Sequence, residues 1–160
     1  MSTSEPEIHD SVLGGRVFML SAKTFNEMIS LLGEAMSRPV ADVLMWNIGH
    51  RYGVALGRKT RMMSKSPNEA IKTLVVSAFK SGWGVPEVAD NIATSGSLEV
   101  VVTNCVFCDG SVRRDSPNCY FLSGILNGIA ESLYDVKFET VEKECRVMGF
   151  KACRFNITRI

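Results

Sequence analysis

The chain has 160 residues and a formal net charge of +1, enough length for one domain with a real core and too little charge to recommend nucleic acid or an acidic membrane as partner. Hydrophobic residues make up 46% and charged residues 22%, no basic tract is interleaved with aromatics, and no apolar run approaches the ~20 residues that span a bilayer. The reading is a cytoplasmic protein without nucleic-acid or membrane partners. Its five cysteines then sit in a reducing compartment, where metal ligation is favoured over disulfides.

Residues 1–14 read as a flexible tail, polar and acidic and without the basic start and apolar run of a signal peptide, and residues 15–160 as a single domain. Residues 16–20 (RVFML) form a short strand candidate. Thr24 with Glu27 resembles a capping box for a first helix whose apolar face is Phe25, Met28, Ile29 and Leu32. Pro39 opens a second helix to about residue 56, and its Gly49, Gly53 and Gly57 make one stripe. Each interior glycine costs a helix ~1 kcal/mol, so the stripe implies close approach of another backbone, within the chain or across a dimer.

Residues 58–65 read as a basic, solvated connection. Ser66-Pro67-Asn68-Glu69 opens a third helix and Gly82-Trp83-Gly84 stops it. The period then changes to two: residues 85–92 and 98–107 read as strands of a hairpin turning at 94–97. Apolar residues fall on both faces, which predicts a sheet covered on both sides. Ser116-Pro117 opens a fourth helix, and residues 136–147 and 151–157 form a terminal hairpin around Gly149. The fold class is α+β, an antiparallel sheet with several helices packed on it.

The C-terminal part reads C119-x22-E142-x2-C145-x7-C153, four potential ligands for tetrahedral zinc. A hairpin centred on Gly149 sets Cys145 opposite Cys153, with Cβ atoms ~4.5–5.5 Å apart. Cys119 lies in the first turn of the fourth helix, where the dipole favours a thiolate. Glu142 and Cys145 are three apart and face opposite ways on a regular strand, so a bulge must lie between them. On spacing alone Glu139 and Glu144 serve as alternatives to Glu142, and facing cysteines also fit a disulfide or plain core packing. A second motif, Cys105-Val106-Phe107-Cys108, places its thiols on opposite faces of a strand unless a turn begins there, and reads as core or loop cysteines.

The run Asn104…Cys119-Tyr-Phe-Leu-Ser-Gly124…Gly128…Glu142-Lys-Glu-Cys145-Arg-Val-Met-Gly149-Phe-Lys-Ala-Cys153-Arg-Phe155 resembles the C-terminal signature of the 4-vinyl reductase domain, and Gly49, Gly53 and Gly82-Trp83-Gly84 fit upstream. The family includes the sensory modules of bacterial activators that respond to phenols and other aromatic hydrocarbons, and an accessory protein for vinyl-group reduction in bacteriochlorophyll synthesis. Its fold is shared with small subunits of the TRAPP tethering complex. The resemblance implies structural zinc at Cys119, Glu142, Cys145 and Cys153, and so selects Glu142 among the glutamates. It also implies a homodimer. The activators carry further domains after the sensor, whereas this sequence ends at Ile160, so output is expected through a protein partner.

The expected function is binding or sensing of a small hydrophobic ligand, with Trp46, His50, Tyr52 and Trp83 as candidate lining residues. A role as accessory to a vinyl or tetrapyrrole reductase, or as a ligand-free scaffold subunit, is the alternative. Independent catalysis is disfavoured: no phosphate-cradling glycine loop is present, and four protein ligands leave zinc no open position.

Overall fold

A computed structural model describes residues 8–9, 16–17, 19–89, 92–108 and 113–160. Ile8–His9 (β1) pairs antiparallel with Arg16–Val17 (β2). The rest of the expected tail lies outside the described residues, and so does Phe18 of the expected first strand, which ends at Val17.

Helix α1 (Ala22–Met36) begins two residues before the expected cap, because Ser21 Oγ accepts the Thr24 amide at 3.1 Å and takes over the capping role. Ser37, at φ 73°, breaks the chain between α1 and α2 (Arg38–Arg61), and Pro39 sits in the first turn of the second helix. Helix α2 runs past the expected end at residue 56. Arg58, Lys59 and Arg61 fall in its last turn, where cations suit the negative end of the helix dipole. What read as a loop is therefore partly helix.

Helix α3 (Pro67–Ala78) starts as expected, with Ser66 Oγ accepting the Glu69 amide at 3.3 Å. It ends in a widened turn, Phe79–Trp83, closed by Gly82 at φ 100°. Strand β3 (Val85–Ala89) and strand β4 (Ser97–Thr103) form the expected hairpin, with Val85 opposite Thr103 and Ala89 opposite Glu99. A single helical turn, α4 (Ile92–Ser95), precedes β4.

Helix α5 (Tyr120–Tyr134) is followed by β5 (Phe138–Glu144), a short helical turn at Arg146–Met148, and β6 (Cys153–Arg159). Among the described residues the main sheet runs β3-β4-β6-β5, every neighbour antiparallel. An α+β architecture with an antiparallel sheet is thus what the chain adopts.

Among the described residues the sheet is covered on one face, not two. Leu98, Val100 and Val102 of β4 and Phe155 and Ile157 of β6 are buried, while Glu99, Val101, Arg154 and Asn156 alternate onto a half-exposed face. On that face Arg154 bridges Glu99 at 2.6 Å and Glu144 at 3.2 Å, a polar ladder that needs water beside it. Cys105 and Phe107, within the expected strand 98–107, lie beyond the end of β4 and are buried. Asn104, with φ 52°, turns the chain inward before them.

Helix α5 packs between α2 and the sheet, and every residue from Leu122 to Ala130 is buried. Its apolar residues accordingly surround the helix rather than forming one stripe. The glycine stripe of α2 answers glycines on α5 within the same chain. A Cβ on Gly49 would lie 2.0 Å from the Phe121 carbonyl oxygen, and one on Gly53 2.2 Å from that of Ile125. Reciprocally, a Cβ on Gly124 or Gly128 would strike the carbonyl oxygens of Trp46 and His50 at 2.1 and 2.3 Å. The two backbones touch, which is the compensation that the stripe required. Among the described residues no helix is long and apolar enough to cross a membrane.

Candidate functional site

The terminal hairpin sets the chemistry. Glu144 pairs with Arg154, so the register continues to place Cys145 across from Cys153, and their sulfurs are 3.9 Å apart. A register shift between Glu142 and Glu144 supplies the expected bulge, after which Glu142 pairs with Phe155. The bulge lets Glu142 and Cys145 turn to the same side. Cys119, at the N-cap of α5 rather than in its first turn, brings its sulfur to 3.9 Å from Cys145 and 3.7 Å from Cys153.

Glu142 completes this group. Its Oε2 accepts the Cys119 amide at 3.0 Å, while Oε1 is buried without a hydrogen-bond partner. A buried carboxylate oxygen left unpaired is costly unless it meets a cation. The ligand atoms of Cys119, Glu142, Cys145 and Cys153 all lie within 4.8 Å of one another. Zinc–sulfur arms of ~2.3 Å give a tetrahedral edge of roughly 3.8 Å, so the sulfur separations fit one ion. The buried cluster can bind a metal ion.

The structure draws in two further cysteines. Residues 105–108 form a turn, not a strand, and both thiols of the C-x-x-C are buried and point the same way. Cys105 Sγ lies 3.8 Å from Cys119 Sγ, and Cys108 Sγ 3.3 Å from Cys153 Sγ. Cys105, Cys108, Cys119 and Cys153 therefore make a second four-ligand set. The C-x-x-C spacing was the available signal. Reading it as strand hid its meaning.

Crowding shapes the acidities. Burial, reinforced by the neighbouring Cys145, pushes the Glu142 carboxyl up to about 9. Hydrogen bonds from Cys105 and then the other thiols hold Cys108 far below the ordinary thiol range, while Cys105 and Cys108 lead in raising Cys119 and Cys153. Cys108 opposes ionisation of Cys145, but Cys119 and Cys153 together draw it down to about 6. A groove of about 570 Å³ reaches the cluster on its Cys105–Cys108 side, lined in part by Arg38, Arg114 and Arg146. Arg146 donates to the Cys105 carbonyl at 3.1 Å.

The four candidate lining residues fall into two pairs. Six residues along a helix turn direction by about 600°, so Trp46 and Tyr52 leave α2 roughly 120° apart. Trp46 stacks on His50 with ring centroids 5.0 Å apart, and His50 Nε2 lies 2.9 Å from Glu131 Oε2. Burial opposes ionisation of Glu131, but the bonds from His50 and the Phe138 amide, with Lys137 nearby, hold its carboxyl below the usual range. His50 is a partnered residue at the edge of an open groove of mixed polarity, about 830 Å³ in volume.

Tyr52 and Trp83 lie together on the other side of α2, ring centroids 6.2 Å apart. Trp83 also meets Phe79 at 6.0 Å and Phe107 at 5.3 Å, edge to face. Phe107 continues to Phe25 at 5.6 Å and Phe121 at 5.5 Å. Six rings from α1, α2, the end of α3, the cysteine turn and α5 thus form one network. Its phenylalanines were not legible as a group, because each reads simply as the apolar face of its own element.

Over residues 98–159 the sequence matches the family model of the 4-vinyl reductase domain. The resemblance read between Asn104 and Phe155 stands for that segment, which contains all six candidate ligands of the metal cluster. An uncharacterized protein of Methanocaldococcus jannaschii, MJ1642, is 26% identical over 66 residues, and the match spans 41% of this chain and 41% of that relative. Among solved structures, the phenol-responsive sensory domain of the transcription activator PoxR, with phenol, is similar at TM-score 0.75 and 19% identity, over 91% of this chain and 77% of that one. Subunit 3 of a trafficking protein particle complex from Naegleria fowleri, covalently bound to palmitic acid, is similar at TM-score 0.65 and 13% identity, over 87% and 95%. At these identities the two structures share the fold.

Proposed function

We propose that the chain is a binding domain for a small hydrophobic or aromatic molecule, that the ring network around Trp83 is its ligand site, and that zinc held by Cys119, Glu142, Cys145 and Cys153 fastens α5 to the terminal hairpin beside it. The observation that carries the reading is the six-ring network itself. The rings gather in one apolar place, where a guest ring that parted them would meet the same edge-to-face contacts they now make with one another, and the Trp83 indole N–H is a group that could orient it. Support comes from the PoxR sensory domain, which shares this fold and holds phenol, and from the trafficking subunit, which carries palmitic acid. Trp46 and His50 contribute to separate grooves on the other side of α2 and are left out of the proposed site.

Zinc suits the donor set, three thiols and a carboxylate at tetrahedral spacing, and with four protein ligands its role is structural. Ligand binding then acts through a dimer or a partner surface. An exposed apolar stripe on α2, Val40, Val43, Leu44 and Ile48, supports a homodimer. Chelation that strips all metal yet leaves thermal stability unchanged would remove the zinc from this account.

The ligand test uses a Trp46→Phe variant, in which Trp83 is the sole indole. Phenol, 4-ethylphenol, toluene and palmitate are titrated while indole fluorescence and melting temperature are followed. Saturable fluorescence change with at least one probe is expected. No change in either signal with any of them leaves the ring network a plain core and favours a scaffold subunit.

A further inference from the structure

We propose that the cysteine cluster holds two zinc ions, not one, bridged by the thiolates of Cys119 and Cys153. The proposal rests on the zinc reading above and extends it with Cys105 and Cys108. The two four-ligand sets, Cys105, Cys108, Cys119, Cys153 and Cys119, Glu142, Cys145, Cys153, share two members. Two tetrahedra that share two corners share an edge, here the Cys119–Cys153 pair, whose sulfurs are 3.7 Å apart. The outer corners come from different elements: Cys105 and Cys108 from the turn after β4, Glu142 from β5 and Cys145 from the residue after it. Each ion then has four protein ligands.

Three observations favour filling both halves. First, the Cys105–Cys108 turn has the two-residue spacing of a zinc-binding C-x-x-C, and Asn104, at φ 52°, is what aims both thiols inward. Second, the added half is an all-thiol set of the kind that holds structural zinc, Cys105, Cys108, Cys119 and Cys153, with every member buried. Third, the second half has a route in and an outer shell. The groove that reaches Cys105 and Cys108 is lined by Arg38, Arg114 and Arg146, and the Arg146 guanidinium donates to the Cys105 carbonyl. The arginines offset the excess negative charge of the thiolates.

The test is metal content of the full chain, purified and loaded with zinc alone under anaerobic, reducing conditions, and weighed by native mass spectrometry. Two zinc ions per chain are expected, falling to one in C105S/C108S and to one in E142Q/C145S. Cadmium-113 NMR of the wild-type protein needs no variant to fold, and two resonances that split each other through the shared thiolates are expected. One ion per chain with a single resonance overturns the bridged pair and leaves the single-zinc reading standing. Two resonances without mutual splitting overturn the bridge. No bound metal overturns both readings at once.

Discussion

Glu142 accepts the backbone N–H of Cys119 through one carboxylate oxygen at 3.0 Å and holds the other buried and unpaired. The first oxygen fixes the start of α5 against β5; the second faces the thiols. This division between a positioning oxygen and a waiting one ties the metal site to the fold.

Without metal, Glu142 should make stability fall as pH rises. Its folded-state value of about 9 lies above the ordinary carboxylate value near 4.3, so between these limits the folded chain binds more protons than the unfolded one. The penalty is absent below about pH 4 and grows toward pH 9. Cys145, drawn down to about 6, acts in the opposite direction, so the comparison must leave the thiols in place. Metal-free E142Q should gain on metal-free wild type in melting temperature between pH 5 and pH 9. A constant difference across that range contradicts the burial argument.

Glu131 carries the reverse dependence. Its carboxyl is held low in the fold, so it contributes stability above the ordinary carboxylate value, and that contribution is lost as pH falls through the folded one. E131Q should lower the melting temperature at pH 7, and the deficit should shrink as pH falls below the ordinary carboxylate value. The side chain is largely buried beside a half-exposed His50, and the expected loss at neutral pH is about 1 kcal/mol.

Replacing Gly53 with alanine tests the seam between α2 and α5. Alanine is worth ~1 kcal/mol in helix propensity. That gain is outweighed, because the new Cβ would sit 2.2 Å from the backbone oxygen of Ile125, and backbone cannot swing aside. Forced overpacking of this kind costs about 3 kcal/mol or more. Gly33→Ala is the control: its Cβ would meet the flexible Arg38 side chain at 3.3 Å. Chemical denaturation should show G53A strongly destabilised and G33A neutral or slightly stabilised.

The exposed stripe on α2 should be sticky in solution. Val43 and Ile48 are 62% and 45% exposed, and a glutamate at each removes the apolar contact without disturbing the buried face. Sedimentation should show a dimer for the wild type and a monomer for V43E/I48E. A wild-type monomer at high concentration would assign the stripe some other role.

Much of this was legible from residue types. The hairpin around Gly149 set Cys145 opposite Cys153, and the three-residue spacing of Glu142 and Cys145 required a bulge, which the register shift between Glu142 and Glu144 supplies. The glycine stripe foretold a backbone contact but not its partner, since Gly124 and Gly128 offer the same surface that a second subunit would. The turn at Cys105–Cys108 escaped because it hangs on one residue: Asn104 in a left-handed conformation ends an otherwise perfect strand pattern. The pairing of Trp46 with His50, away from Tyr52, follows from their spacing along α2, but which side of that helix meets the other rings depends on how α2 docks on α5, which no window of sequence contains.

Phe107 stands between Cys105 and Cys108 in the chain and between Trp83 and Phe121 in the ring network. A loop that must be immobilised by its own ligand spends part of the interaction energy on ordering itself. With both flanking thiols anchored to metal, this one arrives already immobile, so an aromatic guest would meet a wall standing before it enters. Affinity for that guest should then rise and fall with the metal supply, and the domain would report two inputs, the organic molecule and the ion, through one ring.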